Sequence, residues 1–429
     1  MRTAALFLLG FLVFFAGCKS ADELYNEGQR LELRGDYEAA AYRYAESLDK
    51  KDLQKSRGRL LEAGKLAVGQ RLTRIEGAED AGAWIEAADH HRGLDALVRE
   101  ARGVGVTLPL PEGYSEQRRA NFDAAIATLQ DEGEAAVTTG DFEDALATYE
   151  RARRYDPAPE VAAMLADATL DATAAWAEAD FAAGRYRAAY DHAAAALALA
   201  GPQDPLVPAL AALRDEALVR GSVRLAPLPL WQTGAAERAL PSGFLAALND
   251  ELGDGYWRQP PLFVLTTEPR AIRRALRDFD AGRSLVSTRE AARIGDALDA
   301  HFAFAGEIDR FSRRVEERDR EERTARTRGG DRVTYTRIED EITLSAVVAF
   351  DVVDAEARRP VCEREIERSV RGRVERGDYR GSLRTLDLDR DERRLFDPDE
   401  LAERERELED ELLDELARHV AQAAFECLP

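Results

Sequence analysis

The stretch HFAFAGEI, residues 301–308, decides how the second half of the chain folds. Two phenylalanines alternate with alanines, so the stretch is apolar on both faces, which is typical of a strand buried in the middle of a sheet. Gly306 at the end of this run predicts a neighbour that approaches the backbone closely. No catalytic signature accompanies the strand, so it predicts an architecture rather than a reaction.

Strands and helices alternate on the N-terminal side of this stretch. This alternation predicts an α/β domain with a mixed sheet over residues 222–429. Strands are expected at Ser222–Leu230 and Leu262–Thr267. Helices are expected from Phe244 to about Gly253, from Ile272 to Phe279, and from Ser287 or Thr288 to Leu298.

On the C-terminal side the pattern becomes strongly charged. Arg313–Arg328 is charged throughout and indicates either a long solvated hairpin end or a disordered loop. Apolar and polar residues then alternate from Ile342 to Val352, which predicts an antiparallel strand with Val361–Val370 returning beside it. A helix of about 30 residues that starts at Asp397 is expected to close the domain.

Four segments of this half resemble a known group of proteins: VRLAPLPL at 223–230, LFVLTTE at 262–268, EAARIGDALDAHFAFAGEI at 290–308, and ITLSAVVAFDVVDAE at 342–356. Their order is similar to the periplasmic domain shared by the curli-secretion channel lipoproteins and the penicillin-binding-protein activator lipoproteins. The resemblance implies a non-enzymatic envelope domain that assembles with itself or contacts a periplasmic enzyme.

The charged segment of this chain indicates which of the two relatives is the better guide to its function. A channel subunit inserts hairpins whose lipid-facing side chains are apolar, whereas residues 311–341 read FSRRVEERDREERTARTRGGDRVTYTRIEDE, with charges on both faces. An arginine at mid-bilayer costs about 2 to 4 kcal/mol. The sequence therefore favours a scaffold or activator, with a subunit of an oligomeric outer-membrane secretion channel as the alternative.

Small and aromatic residues recur at helical spacing around turn glycines in the first half of the chain. The first copy has Gly28, Gly35, Tyr37, Ala40 and Tyr44, the second has Gly133, Gly140, Phe142, Ala145, Tyr149 and Pro157, and a weaker third has Gly184, Tyr186 and Ala189. The pattern is similar to the tetratricopeptide repeat, in which small residues let two antiparallel helices approach, an aromatic side chain wedges between them, and a proline stops the second helix.

This resemblance implies a helical-repeat domain over residues 19–220. Gly35 and Gly140 lie 140 − 35 = 105 residues apart, which predicts three repeats of about 34 residues between them. An array of this kind presents a concave face that holds a peptide or another protein. In the alternative, the alanine-rich helices only pack on each other as a spacer.

Residues 1–18 have the features of a bacterial signal peptide. A basic start precedes the apolar run Ala4–Phe15, which is too short for a permanent membrane span. The run ends in FAGC, which resembles the lipoprotein box and implies that Cys18 is diacylated as the first mature residue. Lys19 after it implies sorting to the outer membrane. The alternative is an ordinary secretory signal with an incidental cysteine.

Acylation of Cys18 leaves Cys362 and Cys427 as an even pair in an oxidising compartment. A disulfide between them would tie a strand to the last helix. Two separately buried thiols remain the alternative, because their spacing matches no zinc or redox motif.

Composition excludes some functions and leaves others. With 82 acidic and 60 basic residues the formal charge is −22, so the surface repels nucleic acid. No zinc-protease or serine-hydrolase motif is present, so we expect no enzyme, cofactor or metal. The sequence predicts an outer-membrane lipoprotein that binds envelope or periplasmic proteins through its helical array, while its α/β domain either binds another partner or forms a homo-oligomer.

Overall fold

The computed structural model describes residues 19–279 and 286–429. The chain divides between Ala217 and Leu218 into two compact units, the first helical and the second α/β. This division confirms the fold class expected from the sequence, a helical array followed by an α/β domain with a mixed sheet. The helix Val207–Gly221 runs across the boundary.

The first unit is a succession of helices in which each packs on the next. They are α1 (Ala21–Glu32), α2 (Tyr37–Lys50), α3 (Gln54–Asp80), α4 (Trp84–Gly103), α5 (Tyr114–Thr139), α6 (Phe142–Arg153), α7 (Pro159–Ala182), α8 (Tyr186–Leu199) and α9 (Val207–Gly221). The first eight form four helical hairpins, α1/α2, α3/α4, α5/α6 and α7/α8.

All four hairpins use the same turn, built on a glycine with positive φ: Gly35, Gly82, Gly140 and Gly184. In each, the residue after the glycine donates its N–H to a carbonyl five residues back, and the next residue is an aromatic that starts the second helix. Glycine is favoured because a Cβ is strained in the left-handed region.

This shared turn corrects the expected repeat count. Gly105 makes the same backbone turn but leads into a loop. Between Gly35 and Gly140 only Gly82 joins two helices in this way, so the 105 residues hold two intervals rather than three. The intervals are 82 − 35 = 47 and 140 − 82 = 58 residues, because α3 and α5 are long and residues 104–113 form a loop. Leu108 of this loop is buried against Gly64 of α3, which leaves no space there for a larger residue.

The second unit contains one mixed sheet with helices on both faces. Its elements are β1 (Val223–Pro227), β2 (Trp231–Gln232), α10 (Gly234–Glu237), α11 (Phe244–Glu251), β3 (Val264–Thr266), α12 (Pro269–Asp278), α13 (Thr288–Ala297), β4 (Phe302–Thr327), β5 (Arg332–Asp354), β6 (Arg359–Asp378), β7 (Leu386–Asp387), α14 (Arg390–Arg394) and α15 (Pro398–Glu426). The strand order is β3-β1-β4-β5-β6, and β2 and β7 also pair with β4.

Strand β4 begins with the stretch that decides the fold and lies between a parallel and an antiparallel neighbour. It pairs with β1 in parallel and with β5 in antiparallel register. Phe304 is fully buried, and a Cβ on Gly306 would lie 2.7 Å from the Cβ of Phe350. The prediction of a central buried strand with a close neighbour is confirmed.

The charged segment after this core is strand rather than loop. Strand β4 continues to Thr327, and β5 and β6 extend well beyond the ranges 342–352 and 361–370 expected from the sequence. The disordered-loop alternative is therefore wrong, and the solvated hairpin is present. Ion pairs cross between strands, with Arg318 2.5 Å from Glu341 and Arg376 2.6 Å from Asp340. Such pairs stabilise strand pairing without an apolar face.

Helices cover both faces of the sheet around the first residues of β4. Helices α11 and α15 pack on one face, where Leu412 joins Phe304 and Val348 in a single apolar cluster. Helices α12 and α13 pack on the other, around Ala303 and Val353. The burial of both faces explains why the stretch HFAFAGEI is apolar on both faces from Phe302 to Gly306.

Candidate functional site

Two of the three repeat copies contain the predicted wedge between their helices. A Cβ on Gly28 would lie 2.7 Å from the Tyr44 ring, and one on Gly133 would lie 2.4 Å from the Tyr149 ring. Both tyrosine rings are buried. The missing side chain thus lets each aromatic ring fill the space between paired helices.

The other signature residues occupy equivalent places in the hairpins. Gly35, Gly140 and Gly184 form the turns, Tyr37, Phe142 and Tyr186 start the second helices, and Ala40, Ala145 and Ala189 are buried. Pro157 departs from the expectation that it ends a helix, since α6 already ends at Arg153. In the fourth hairpin, α7/α8, Ala177 and Ala193 are both fully buried and stand where α1/α2 and α5/α6 have glycine and tyrosine.

We did not predict the hairpin α3/α4 from the sequence, although Gly82-Ala83-Trp84 repeats the turn signal of the other three hairpins. Trp84, the first residue of α4, is 37% exposed. Trp84 lies in a groove of about 540 Å³ whose wall comprises Gly82, Ala83, Trp84, Ile85, Glu86, Asp89, His90, Thr128, Glu132 and Arg151. A groove with an exposed tryptophan is the kind of surface on which protein partners dock.

Hydrogen bonds hold polar side chains of the groove wall in place. Asp89 accepts a hydrogen bond from Arg151 Nη2 at 2.7 Å and another from Tyr155 Oη at 2.7 Å. Burial raises the pKa of Tyr155 to about 12, so its hydroxyl stays protonated and donates. Burial, and secondly the Arg71 guanidinium, lowers the pKa of His90, which favours its neutral form.

The groove wall has a net negative charge, because Glu86, Asp89 and Glu132 outnumber the single guanidinium of Arg151. Residues 120–150, which include most of α5 and α6, contain eight acidic residues and no basic residue. Glu132 contributes to the groove wall and makes no ion pair with any described residue. This surface therefore attracts positively charged partners.

The two later cysteines are joined. The Sγ atoms of Cys362 at the start of β6 and Cys427 after α15 form a disulfide, with the Cα atoms 5.7 Å apart. The structure thus selects one of the two alternatives left open by the sequence. Cys18, the predicted acylation site, lies outside the described residues.

The histidines take part in local contacts. His91 is fully buried with its Nε2 3.0 Å from Asn121 Nδ2, and burial lowers its pKa. His192 lies 2.8 Å from the buried Asp180 carboxylate and stacks on Trp176 at a centroid distance of 3.7 Å. His301 Nδ1 accepts a hydrogen bond from the Arg224 N–H. These contacts hold elements together.

Among the described residues, no group of three or more His, Cys, Asp or Glu side chains is placed to share a metal ion. Within the same ranges, no helix combines the length and the apolar character needed to cross a bilayer.

Comparison of the chain with protein-family models finds no match, and neither does comparison with curated proteins. The similarities to tetratricopeptide repeats and to envelope lipoproteins therefore rest on the chain's own residues.

Proposed function

We propose that this protein is a lipid-anchored scaffold of the bacterial cell envelope, whose helical array resembles tetratricopeptide repeats and holds a protein partner. The exposed Trp84 in its acidic groove is the observation that carries the proposal. Exposed tryptophans in grooves are enriched among the residues that dominate binding energy. The second unit would act as the activator or self-assembly domain that its resemblance implies.

The partner's chemistry follows from the groove. Trp84 and Ile85 offer apolar contact, and Glu132 offers a carboxylate without an ion-pair partner among the described residues. A basic segment carrying one apolar side chain satisfies both features. Its positive charge would also speed association, because the neighbouring residues 120–150 carry only negative charge.

The lipid anchor would hold the array close to the membrane. Helix α1 begins at Ala21, so Lys19 and Ser20 alone would separate an acylated Cys18 from the first helix. Ser20 caps that helix reciprocally with Glu23, which leaves little free tether.

Replacing Cys18 with alanine should release the protein from the membrane fraction, because the thioether-linked acyl chains are lost. Mass spectrometry of the N-terminal peptide would find two or three acyl chains on Cys18 in the unmodified protein and none in the variant. Lys19→Gln serves as the control and should remain in the membrane fraction. An unprocessed chain that still begins at Met1 would contradict the anchor.

Trp84→Ala should weaken partner binding at least tenfold, since truncating a central aromatic anchor commonly costs about 2 kcal/mol or more. A photo-crosslinking amino acid at position 85 would first identify the partner, and binding of the purified partner would then be measured by calorimetry. Leu199→Ala, at an exposed apolar residue on α8, is the control. Unchanged affinity in the Trp84 variant would exclude this groove as the docking site.

A further inference from the structure

The chain leaves two neighbouring parallel strands of the sheet toward opposite faces. Strands β1 and β3 lie side by side in parallel register. After β1 the chain continues to α11, which packs on the face that α15 covers, and after β3 it continues to α12 on the other face. Connections that diverge in this way open a crevice at the carboxyl ends of the strands, where α/β proteins commonly bind ligands.

A cleft of about 760 Å³ occupies this position. It is lined by the residues that follow each strand, Pro227–Pro229 and Thr266–Pro269, and by side chains of α11 and α12. Leu228, Trp257 and Leu276 supply buried apolar surface. This volume falls in the range that small organic ligands occupy.

A widened helical turn shapes one wall of the cleft. Helix α11 passes directly into a π-turn at Leu252–Tyr256, and Gly253 and Asp254 of that turn line the cleft. Single π-turns occur often at functional sites. No heavy atom lies within 4 Å of where a Cβ on Gly253 would be, so the space in front of it is open.

The polar groups of the cleft favour a hydrogen-bond donor. Pro227, Pro229 and Pro269 contribute no N–H. The hydroxyl oxygen of Thr267 is buried and has no hydrogen-bond partner within the described part of the chain. The wall is therefore poor in backbone donors, and the Thr267 hydroxyl can accept a hydrogen bond from a ligand as well as donate one.

The charges on the rim of the cleft favour a positively charged ligand. Asp254 is paired with Arg258 at 2.5 Å. Asp250 and Glu268 make no ion pair with any described residue. Arg273 is the one guanidinium on this rim that likewise makes no ion pair with a described residue. Two carboxylates against one guanidinium leave a net negative rim above an apolar floor.

We propose that this cleft binds a small organic cation with an apolar or aromatic body. The body would lie on Trp257 and Leu276, and the ammonium group would lie between Asp250 and Glu268. This ligand site is separate from the groove at Trp84, because all of its residues belong to the second unit and those of the groove belong to the first.

Calorimetry with three probes of matched shape tests the proposal: 2-naphthylmethylamine, 2-naphthylmethanol and 2-naphthoate. The protein is the mature chain, without the predicted signal peptide and carrying Cys18→Ala, so that no detergent competes for the probes. The amine should bind at least tenfold more tightly than the carboxylate, with the alcohol between them. Equal affinity for amine and carboxylate, or no binding of any probe, would overturn the proposal.

Amino-acid substitutions test whether the amine probe binds in this cleft. Gly253→Leu should abolish amine binding by filling the open space, whereas Gly234→Leu, where a Cβ also meets no neighbour, should leave it unchanged. Asp250→Asn with Glu268→Gln should reduce amine affinity to that of the alcohol. Asp278→Asn with Asp296→Asn, which removes two charges elsewhere in the unit, should have no effect. Wild-type affinity in Gly253→Leu with an unchanged circular dichroism spectrum would place the probe elsewhere.

Discussion

Replacing both Cys362 and Cys427 with alanine should lower the free energy of unfolding of the second unit by about 4 kcal/mol. The disulfide joins residues 65 positions apart, and closing a loop of that length restricts the unfolded chain by about this amount in the chain-entropy model. Both cysteines are half-buried, so their truncation adds little loss of packing. The last helix would then be held to the sheet only by side-chain contacts.

Chemical denaturation of the full chain followed by tryptophan fluorescence measures this effect, with hydrogen exchange assigning the transition to the second unit. A reducing agent should lower the stability of the unmodified protein to that of the double variant and leave the variant unchanged. If the unmodified protein and the double variant have the same midpoint under oxidising conditions, the disulfide does not stabilise the fold.

Replacing Gly133 with alanine should destabilise the helical array by about 1 to 3 kcal/mol, because the new Cβ overpacks a filled space. That Cβ would lie 2.4 Å from Cε1 of Tyr149, which cannot retreat since its ring is buried between the helices. Gly28→Ala should have a smaller effect of the same sign, since its closest approach to Tyr44 is 2.7 Å.

Gly69→Ala in α3 is the matched control. It is also a glycine inside a helix, but no heavy atom lies within 4 Å of its added Cβ. Alanine there should stabilise the array by about 0.5 to 1 kcal/mol, because glycine is a poor helix former. Equal effects at positions 69 and 133 would show that helix propensity, and not the wedge, governs both sites.

A double-mutant cycle isolates the wedge. In a Tyr149→Ala background the cost of Gly133→Ala should disappear, because the alanine then faces the cavity left by the ring. The fourth hairpin, α7/α8, already has alanine at both equivalent positions, Ala177 and Ala193. A penalty that persists without the ring would mean that the helix backbones themselves are too close for a Cβ.

Much of the local structure was predictable from short-range patterns. The alternation in HFAFAGEI identified a buried strand, and the glycine turns identified three of the four helical hairpins. The hairpin at Gly82 was missed because Ala83-Trp84 follows its turn glycine, whereas the three recognised copies have tyrosine or phenylalanine at the second of these positions. The period of about 34 residues failed because α3 and α5 are longer than the repeat assumes.

The candidate sites were less predictable, because their residues come from distant parts of the chain. The groove brings Trp84 together with Glu132 and Arg151, and the cleft brings Pro227 together with Trp257 and Leu276. No sequence motif groups the residues of either site together. Their significance depends on exposure and on neighbours, which no spacing along the chain reveals.

The amino-acid sequence alone was sufficient to establish the order of helices and strands and the two-part architecture, because hydrophobic periodicity and glycine turns act over a few residues. Three features were decided only by tertiary structure: the disulfide between Cys362 and Cys427, the extension of β4 through its charged residues, and the cleft at the ends of β1 and β3. Each requires partners far away in the chain. A charged segment becomes a strand only when a neighbouring strand pairs with its backbone and its charges, and a cleft exists only where two connections leave a sheet toward opposite faces.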